Sequence, residues 1–238
     1  MIEASLNYLR ESDDALVTTL IGGVLLLASP LLIPAFAVLG YVVRVLRRTA
    51  DGDDEPPVFD AWGDLLTDGL KAFVVTFVYS LLPLAILSVA VVIGIGAALV
   101  GSGDGGLLGG LAGGVVALAL TLVALAASLA GLYVTPAAVA SVAGSGRVGD
   151  GFAVGTLWGV VSKRAYATGW LAAAAIALAG ALVIGVLSVV PILGTIAGFF
   201  VQFYALVAAA AIIGRTWTDV RPVATDTGES DPVERPAV

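Results

Sequence analysis

Residues 41–73 read YVVRVLRRTADGDDEPPVFDAWGDLLTDGLKAF, and they are the one long polar interruption between the first two apolar blocks of the chain. The stretch carries four of the eleven basic residues and seven of the eighteen acidic ones. Arginines at helical spacing come first, then an acidic turn, then the pair Pro56–Pro57. Because proline suits the first turn of a helix, we predict a basic helix end, a turn and a second helix.

The second helix is predicted to be amphipathic and to cover residues 58–70. Asp60, Asp64 and Asp68 recur at every fourth position, so they share one side of the helix. A helix of this kind lies along a membrane surface. Its apolar side comprises Val58, Phe59, Trp62, Leu65, Leu66, Leu70 and Phe73.

The composition indicates a membrane protein. Hydrophobic residues make up 59 % of the chain and charged residues 12 %, which is about half the charge of a soluble domain. The charges are bunched between long uncharged blocks, so we predict an all-α, polytopic bundle of membrane helices. The net charge of −7 suits a salt-rich cytoplasm, where acids are screened, and it argues against a nucleic-acid partner.

The uncharged blocks predict about five spans. Pro30 and Pro34 break the first block, and a competing arrangement folds residues 15–46 into a hairpin, which gives six. We expect Pro83 to kink a helix, Pro136 to break one, and a second amphipathic helix to follow at residues 152–163. The predicted spans are 15–33 with an extension to Arg48, 71–100, 107–134, 165–190 and 193–214.

The distribution of basic residues predicts the orientation in a cell membrane. The loops at 44–71 and 147–164 are basic, whereas those at 101–106 and 190–193 contain neither Lys nor Arg. Because basic loops stay in the cytoplasm, we place the first pair and the C-terminus there and the second pair outside. The side of the N-terminus stays open between the two arrangements.

We predict a single integral membrane domain over residues 1–215, followed by an acidic, disordered cytoplasmic tail at 216–238. Within the domain, residues 15–100 and 107–190 share an order of span, proline, polar turn, amphipathic helix and span. We interpret these halves as a repeat with the final span 193–214 added; the alternative is the chance self-similarity of an apolar chain.

Several short motifs of the first quarter carry a family resemblance. They are Gly22–Gly23, the run Gly40 to Arg44, the acidic turn with Pro56, Pro57 and Phe59, and the segments Trp62 to Leu65 and Gly69 to Lys71. With them the chain resembles an archaeal, mainly haloarchaeal family of membrane proteins, the domain of unknown function 4013. The resemblance covers the chain to about Arg215. It implies a haloarchaeal membrane protein and supplies no activity or catalytic residue.

The residue inventory excludes several kinds of chemistry. The chain contains neither Cys nor His, so thiolate chemistry and His-based acid–base catalysis are excluded. No charged residue lies in the middle of a predicted span, although proton and ion pathways need such groups. The turn at 51–55 resembles a calcium loop, but Pro56 stands where that loop requires Gly. We therefore predict a protein that is not an enzyme and that has neither cofactor nor metal.

The candidate site residues lie at the predicted cytoplasmic face and would contact lipid headgroups or a partner. The partners that we expect are membrane lipids and another membrane or cytoplasmic protein. We interpret the basic residues as setting the orientation and contacting headgroups, and the alternative is a specific site for a lipid phosphate. The candidates are Arg44, Arg47, Arg48, Trp62, Lys71, Lys163 and Arg164.

These features favour a non-enzymatic membrane protein that organises or binds something at its cytoplasmic face. The alternative is a permease or channel for an uncharged or lipidic solute. That alternative draws on the prolines, the repeat and the thirty glycines, which suit transporter helices.

Overall fold

The computed structural model describes Tyr8, residues 15–101 and residues 106–221, and this part of the chain is helical and contains no strand. The prediction of an all-α chain is confirmed for these residues. The predicted loop at 101–106 falls largely outside them. The helices are α1 (Ala15–Leu27), α2 (Ile33–Ala50), α3 (Trp62–Gly101), α4 (Gly106–Ser145), α5 (Val154–Val161), α6 (Arg164–Leu187) and α7 (Leu193–Val220), with 3-10 turns at Ser29–Leu31 and Val148–Phe152.

Four helices, α3, α4, α6 and α7, are long and apolar enough to cross a membrane. They form two antiparallel hairpins. In the first, Gly110 lies against Gly101, and Gly131 lies against the carbonyl of Tyr79. In the second, α6 and α7 pair along their lengths on either side of a turn that contains Pro191. The chain is therefore a membrane-embedded helical protein, as its composition predicted.

The predicted first span at 15–33 is wrong. Helix α1 has 13 residues, which is about 20 Å and too short to cross about 30 Å of hydrocarbon. Pro30 lies in the 3-10 turn that follows, and Leu32 has a φ of 63°. Pro34 then stands in the first turn of α2, a position that proline tolerates. The two prolines therefore reverse the chain.

Contacts with α7 establish the direction of α1. Gly22 lies against the ring of Phe203, and Gly23 lies against the ring of Phe200. The residue numbers of the contacts on α7 fall as those on α1 rise, so the two helices are antiparallel. Tyr8, which precedes α1, donates a hydrogen bond to Glu55 O at 3.3 Å, so the chain enters α1 from the end where the polar turn lies.

Helix α2 runs in the same direction as α7. Its Tyr41 ring lies 5.4 Å from the ring of Phe203, and its Thr49 contacts Gly214 further along both helices. Helix α1 is antiparallel to α7, whereas α2 is parallel to α7. The two helices α1 and α2 are therefore antiparallel to each other and form a hairpin. The structure contains the hairpin of the competing arrangement but does not support its six spans, because four of the described helices are long and apolar enough to cross a membrane.

The amphipathic helix predicted at 58–70 is not a separate element. Residues 58–61 are non-helical, with a positive φ of 44° at Ala61. From Trp62 the helix continues without a break to Gly101. Leu65 and Gly69 are buried against α2, so this polar stretch is the first part of α3 rather than a helix that lies along the surface.

Pro83 and Pro136 lie inside continuous helices, so the break predicted at Pro136 is wrong. A proline removes the N–H that would bond the carbonyl four residues earlier. At Pro136 that carbonyl belongs to Leu132, and it accepts a hydrogen bond of 3.1 Å from Trp170 Nε1 of α6. The indole replaces the lost partner, so the helix continues and α6 docks on it.

The hydrophobic core lies at one end of the molecule. It contains most of α2, the start of α3, the end of α4, α5, the start of α6 and the second half of α7. Within described residues 76–130, only Ala90, Ala97 and Ala124 are buried. The far parts of the hairpins instead expose Leu and Val side chains, as expected of helices that face lipid.

The last helix runs further than predicted. Helix α7 continues to Val220, and Thr216 and Trp217 are buried, so a disordered tail does not begin at residue 216. Helix α5, at 154–161, lies within the stretch predicted as the second amphipathic helix, 152–163, and its amphipathic character stays a prediction. The repeat of two halves stays a prediction.

The backbones of α2 and α3 touch where they cross. A Cβ added to Gly40 would overlap the carbonyl of Leu65, and one added to Gly69 would overlap the carbonyl of Phe36. Only glycine permits helices to approach this closely. This contact holds α2 across the start of α3.

We expect Gly69→Ala to lower the free energy of unfolding by about 1–3 kcal/mol, because the new methyl group would force α2 away. The measurement is unfolding of the purified protein in mixed micelles. Gly96→Ala, in the same helix, is the matched control, since no atom lies within 4 Å of its new Cβ. Equal effects of the two substitutions would contradict the close contact.

Candidate functional site

Arg44 holds the segment that leads into α3. Its guanidinium donates to Asp60 Oδ1 at 2.6 Å, to Asp60 O at 3.0 Å and to Ala61 O at 3.2 Å. The Arg44 side chain is 14 % exposed, so it is largely shielded from water. Charge-assisted bonds of this kind are stronger than those between neutral groups. Arg44 therefore acts as a clamp on residues 58–61.

Arg47 joins three helices. From α2, its Nε donates to the carbonyl of Ala143 near the end of α4 at 2.7 Å. A second nitrogen of Arg47 lies 3.1 Å from Asp68 Oδ2 on α3, and Lys71 Nζ lies 3.6 Å from the other oxygen of Asp68. The Asp68 side chain is 13 % exposed, so a nearly buried carboxylate lies within ion-pair distance of two cations.

The acidic turn pairs with basic residues from two helices. Its three aspartates each have an arginine within 4 Å: Asp51 with Arg221, Asp53 with Arg48 and Asp54 with Arg215. These pairs are at least partly exposed, so each contributes about 0–1 kcal/mol. Together they place the turn over the C-terminal end of α7.

Tyr8 adds a contact from the start of the chain. The Arg215 guanidinium lies 5.5 Å from the centre of the Tyr8 ring, a cation–π distance. Burial raises the pKa of the Tyr8 hydroxyl above its ordinary value, so this group stays neutral at physiological pH.

An aromatic stack lies beneath this network. The rings of Tyr41 and Phe59 are stacked at 4.4 Å, and the ring of Trp62 lies 6.0 Å from Phe59. Trp62 is 47 % exposed, so it covers one edge of the stack and keeps a surface for other contacts. The Tyr41 hydroxyl is buried and has no hydrogen-bond partner among the described residues. An unpaired buried hydroxyl costs about 1–3 kcal/mol.

The structure divides the seven predicted site residues into two groups. Around the crossing of α2 and α3 it gathers five of them: Arg44, Arg47, Arg48, Trp62 and Lys71. Lys163 and Arg164 lie at the start of α6 instead. Lys163 Nζ donates to the carbonyl of Val220 at 2.8 Å, and Arg221, the residue that follows α7, pairs with Asp51. The end of α7 therefore lies between the two groups.

Arg164 differs from the other basic residues. It is exposed, and it has neither an ion pair nor a hydrogen bond in the part of the chain that the structure describes. The other described Arg and Lys side chains are engaged, all of them with a carboxylate except Lys163.

A groove of about 370 Å³ opens beside Lys163. The outer face of α5 and the end of α7 form it. On the same short helix, Val154 is 75 % exposed and Trp158 is 71 % exposed, whereas Leu157 and Val160 face the core. The lining residues are Gly155, Thr156, Gly159, Val160, Lys163 and Val220.

The turn before α5 is held by its own charges. Arg147 and Asp150 form a two-point ion pair with contacts of 2.9–3.2 Å. A hydrogen bond from the Ser145 hydroxyl and the Arg147 contacts lower the pKa of Asp150, so its carboxylate is charged at neutral pH.

Sequence reasoning missed Arg215 and Trp158. Arg215 pairs with an aspartate 161 residues away, and no local pattern encodes such a partner. Trp158 falls within the stretch predicted as the second amphipathic helix, 152–163, whose apolar side chains lie partly in the core and partly at the surface. The exposure of a Trp on a helix at the predicted membrane boundary is the signal that could have identified it.

A comparison with known protein families finds a match. The profile of a family described as "Protein of unknown function (DUF4013)" matches residues 23–189. No curated protein and no solved structure matches the chain. The family description names neither an organism nor an activity.

We expect Arg44→Ala to release residues 58–61 from α2, because it removes the contacts with Asp60 and Ala61. The measurement is the rate at which an aspartate-specific endoprotease cleaves the bond between Phe59 and Asp60 in the purified protein, and it should rise at least severalfold. Arg147→Ala is the control, because it removes an arginine whose partner lies within its own turn. An unchanged rate in Arg44→Ala would mean that the clamp does not restrain the segment.

Proposed function

The chain belongs to this family of proteins of unknown function, and we propose that it is a non-enzymatic integral membrane protein that binds lipid headgroups or a partner protein at its cytoplasmic face. One observation carries the proposal: every described charged residue lies at one end of the molecule. Residues 72–101, 106–146 and 165–214 contain no charged side chain. Among the described residues, only this end of the molecule can therefore offer charged side chains to a charged ligand.

The rigidity of that face supports a binding role. Ion pairs and backbone contacts hold Arg44, Arg47 and Arg48 in fixed positions, and Trp62 stands partly exposed at the edge. A preorganised surface loses less entropy when a ligand binds. The alternative function, a permease or channel for an uncharged or lipidic solute, draws on the charge-free hairpins.

We propose that the charged end is cytoplasmic and that both chain ends lie on that side. The excess of arginine and lysine in its loops supports the orientation. The hairpin of α1 and α2 returns the N-terminal part to the same end. On this view four helices cross the cell membrane, and α1 and α2 form a re-entrant pair. The haloarchaeal, salt-rich setting stays a prediction that rests on the resemblance and on the net charge of −7.

The transport alternative is tested by reconstitution into liposomes. We expect uptake of glycerol to equal that of empty liposomes, and we expect the lipid composition to stay unchanged during incubation. Saturable uptake would favour the permease, whereas a new lipid product would overturn the non-enzymatic assignment. Retention of native lipid or of one stoichiometric protein through purification is the expected positive result.

The orientation is tested by single cysteines, which the naturally Cys-free chain allows. A membrane-impermeant thiol reagent added to whole cells should label Ser102→Cys and leave Ala61→Cys and Gly149→Cys, both at exposed positions, unlabelled. Ser5→Cys should also stay unlabelled, because the N-terminal part is proposed to be cytoplasmic. Permeabilised cells provide the control, since all four positions should then react. The opposite labelling pattern would reverse the orientation.

A further inference from the structure

We propose that the groove between α5 and the end of α7 binds the phosphate of an anionic phospholipid, with two cationic contacts: Lys163, which lines the groove, and the adjacent exposed Arg164, which lies outside the lining. The inference rests on the proposed function, because it names the ligand class of one part of the cytoplasmic face. It places that ligand at the smaller of the two basic groups, away from the clamp at Arg44.

The groove has the size and the walls that a headgroup requires. Its volume of about 370 Å³ falls within the range of small-molecule pockets, about 300–1,000 Å³. Gly155 and Gly159 form one wall, and no atom lies within 4 Å of where a Cβ would stand on either of them. Thr156 adds a hydroxyl that can donate to a phosphate oxygen.

The charge of this region is positive and uncompensated. Seven other described basic side chains have a carboxylate within 4 Å, whereas Lys163 donates only to a backbone carbonyl and Arg164 has no partner among the described residues. The first turn of α6 contains no acidic residue. Asp219 is exposed near Val220, but it forms no ion pair with either cation. A bound anion would supply the negative charge that Lys163 and Arg164 do not find among the described residues.

The surroundings favour a lipid over a free phosphate. Arg164 is the last charged residue before the charge-free length of α6, so it stands at headgroup depth. Trp158 and Val154 expose apolar surface on the groove-forming helix, and Leu171 does so one helix further on. A soluble anion would gain nothing from this apolar rim, whereas the acyl chains of a phospholipid would cover it.

The contacts predict how binding depends on each residue. A guanidinium binds phosphate through two parallel hydrogen bonds, which an ammonium cannot reproduce, so Arg164→Lys should retain only part of the affinity. Arg164→Gln removes the charge and should weaken binding roughly tenfold, in line with the loss of one charged hydrogen bond.

The test is native mass spectrometry of the full-length protein in detergent, titrated with phosphatidylglycerol or with phosphatidylcholine. We expect wild type to retain phosphatidylglycerol preferentially, Arg164→Gln to lose that preference and Arg164→Lys to keep part of it. Arg221→Gln is the matched control, because it removes an exposed arginine that already has a carboxylate partner. Thermal unfolding of each variant verifies that it is folded.

The other results would overturn the groove as a lipid site. They are an unchanged preference in Arg164→Gln, an equal loss in Arg221→Gln, and displacement of the lipid by inorganic phosphate at millimolar concentration. If the preference survives in Arg164→Gln but fails when Lys71 is replaced, the proposed function stands and only the groove is wrong. Saturable glycerol uptake would remove the proposed function and leave the groove result unaffected.

Discussion

The contact between Gly40 and Gly69 is the constraint on which the charged end depends. Because neither residue has a side chain, the backbone of α2 rests on that of α3. Arg44 then lies close enough to the start of α3 to clamp residues 58–61, and Arg47 reaches both α3 and α4. A wider spacing between the helices would leave both guanidinium groups short of their partners. The polar network is thus a consequence of two missing methyl groups.

Proline chemistry has two outcomes in this chain, and local context separates them. At Pro30 the chain ends a helix and reverses within a few residues. At Pro136 the freed carbonyl of Leu132 obtains a new donor from Trp170, and the helix continues. In hydrocarbon an unsatisfied carbonyl costs several kcal/mol, so the availability of a donor on a neighbouring helix decides whether a proline interrupts the helix.

The sequence predicted the features that depend on composition and failed on those that depend on tertiary contacts. The charge-free blocks predicted the all-α class and about five spans, because hydrocarbon admits little else. Four of these spans correspond to long helices, and the first was wrong. The break at Pro136 and a separate helix at 58–70 were wrong, since neither Trp170 nor the α2 crossing can be recognised from local periodicity. Of the site, the arginines of α2 were found by their spacing. Arg215 was missed because its partner is distant in the chain.

The one-sided core implies a gradient of local stability along the molecule. Near the charged end, amide hydrogen bonds are protected by tertiary packing, and opening them requires disruption of the core. Beyond Tyr79 and Gly131, each hairpin helix packs chiefly on one neighbour, and the described residues from 76 to 130 bury only three alanines. Hydrogen exchange in that region is slowed by the surrounding hydrocarbon more than by the protein itself. The bilayer therefore keeps the outer parts of the hairpins ordered, whereas tertiary packing keeps the charged end ordered.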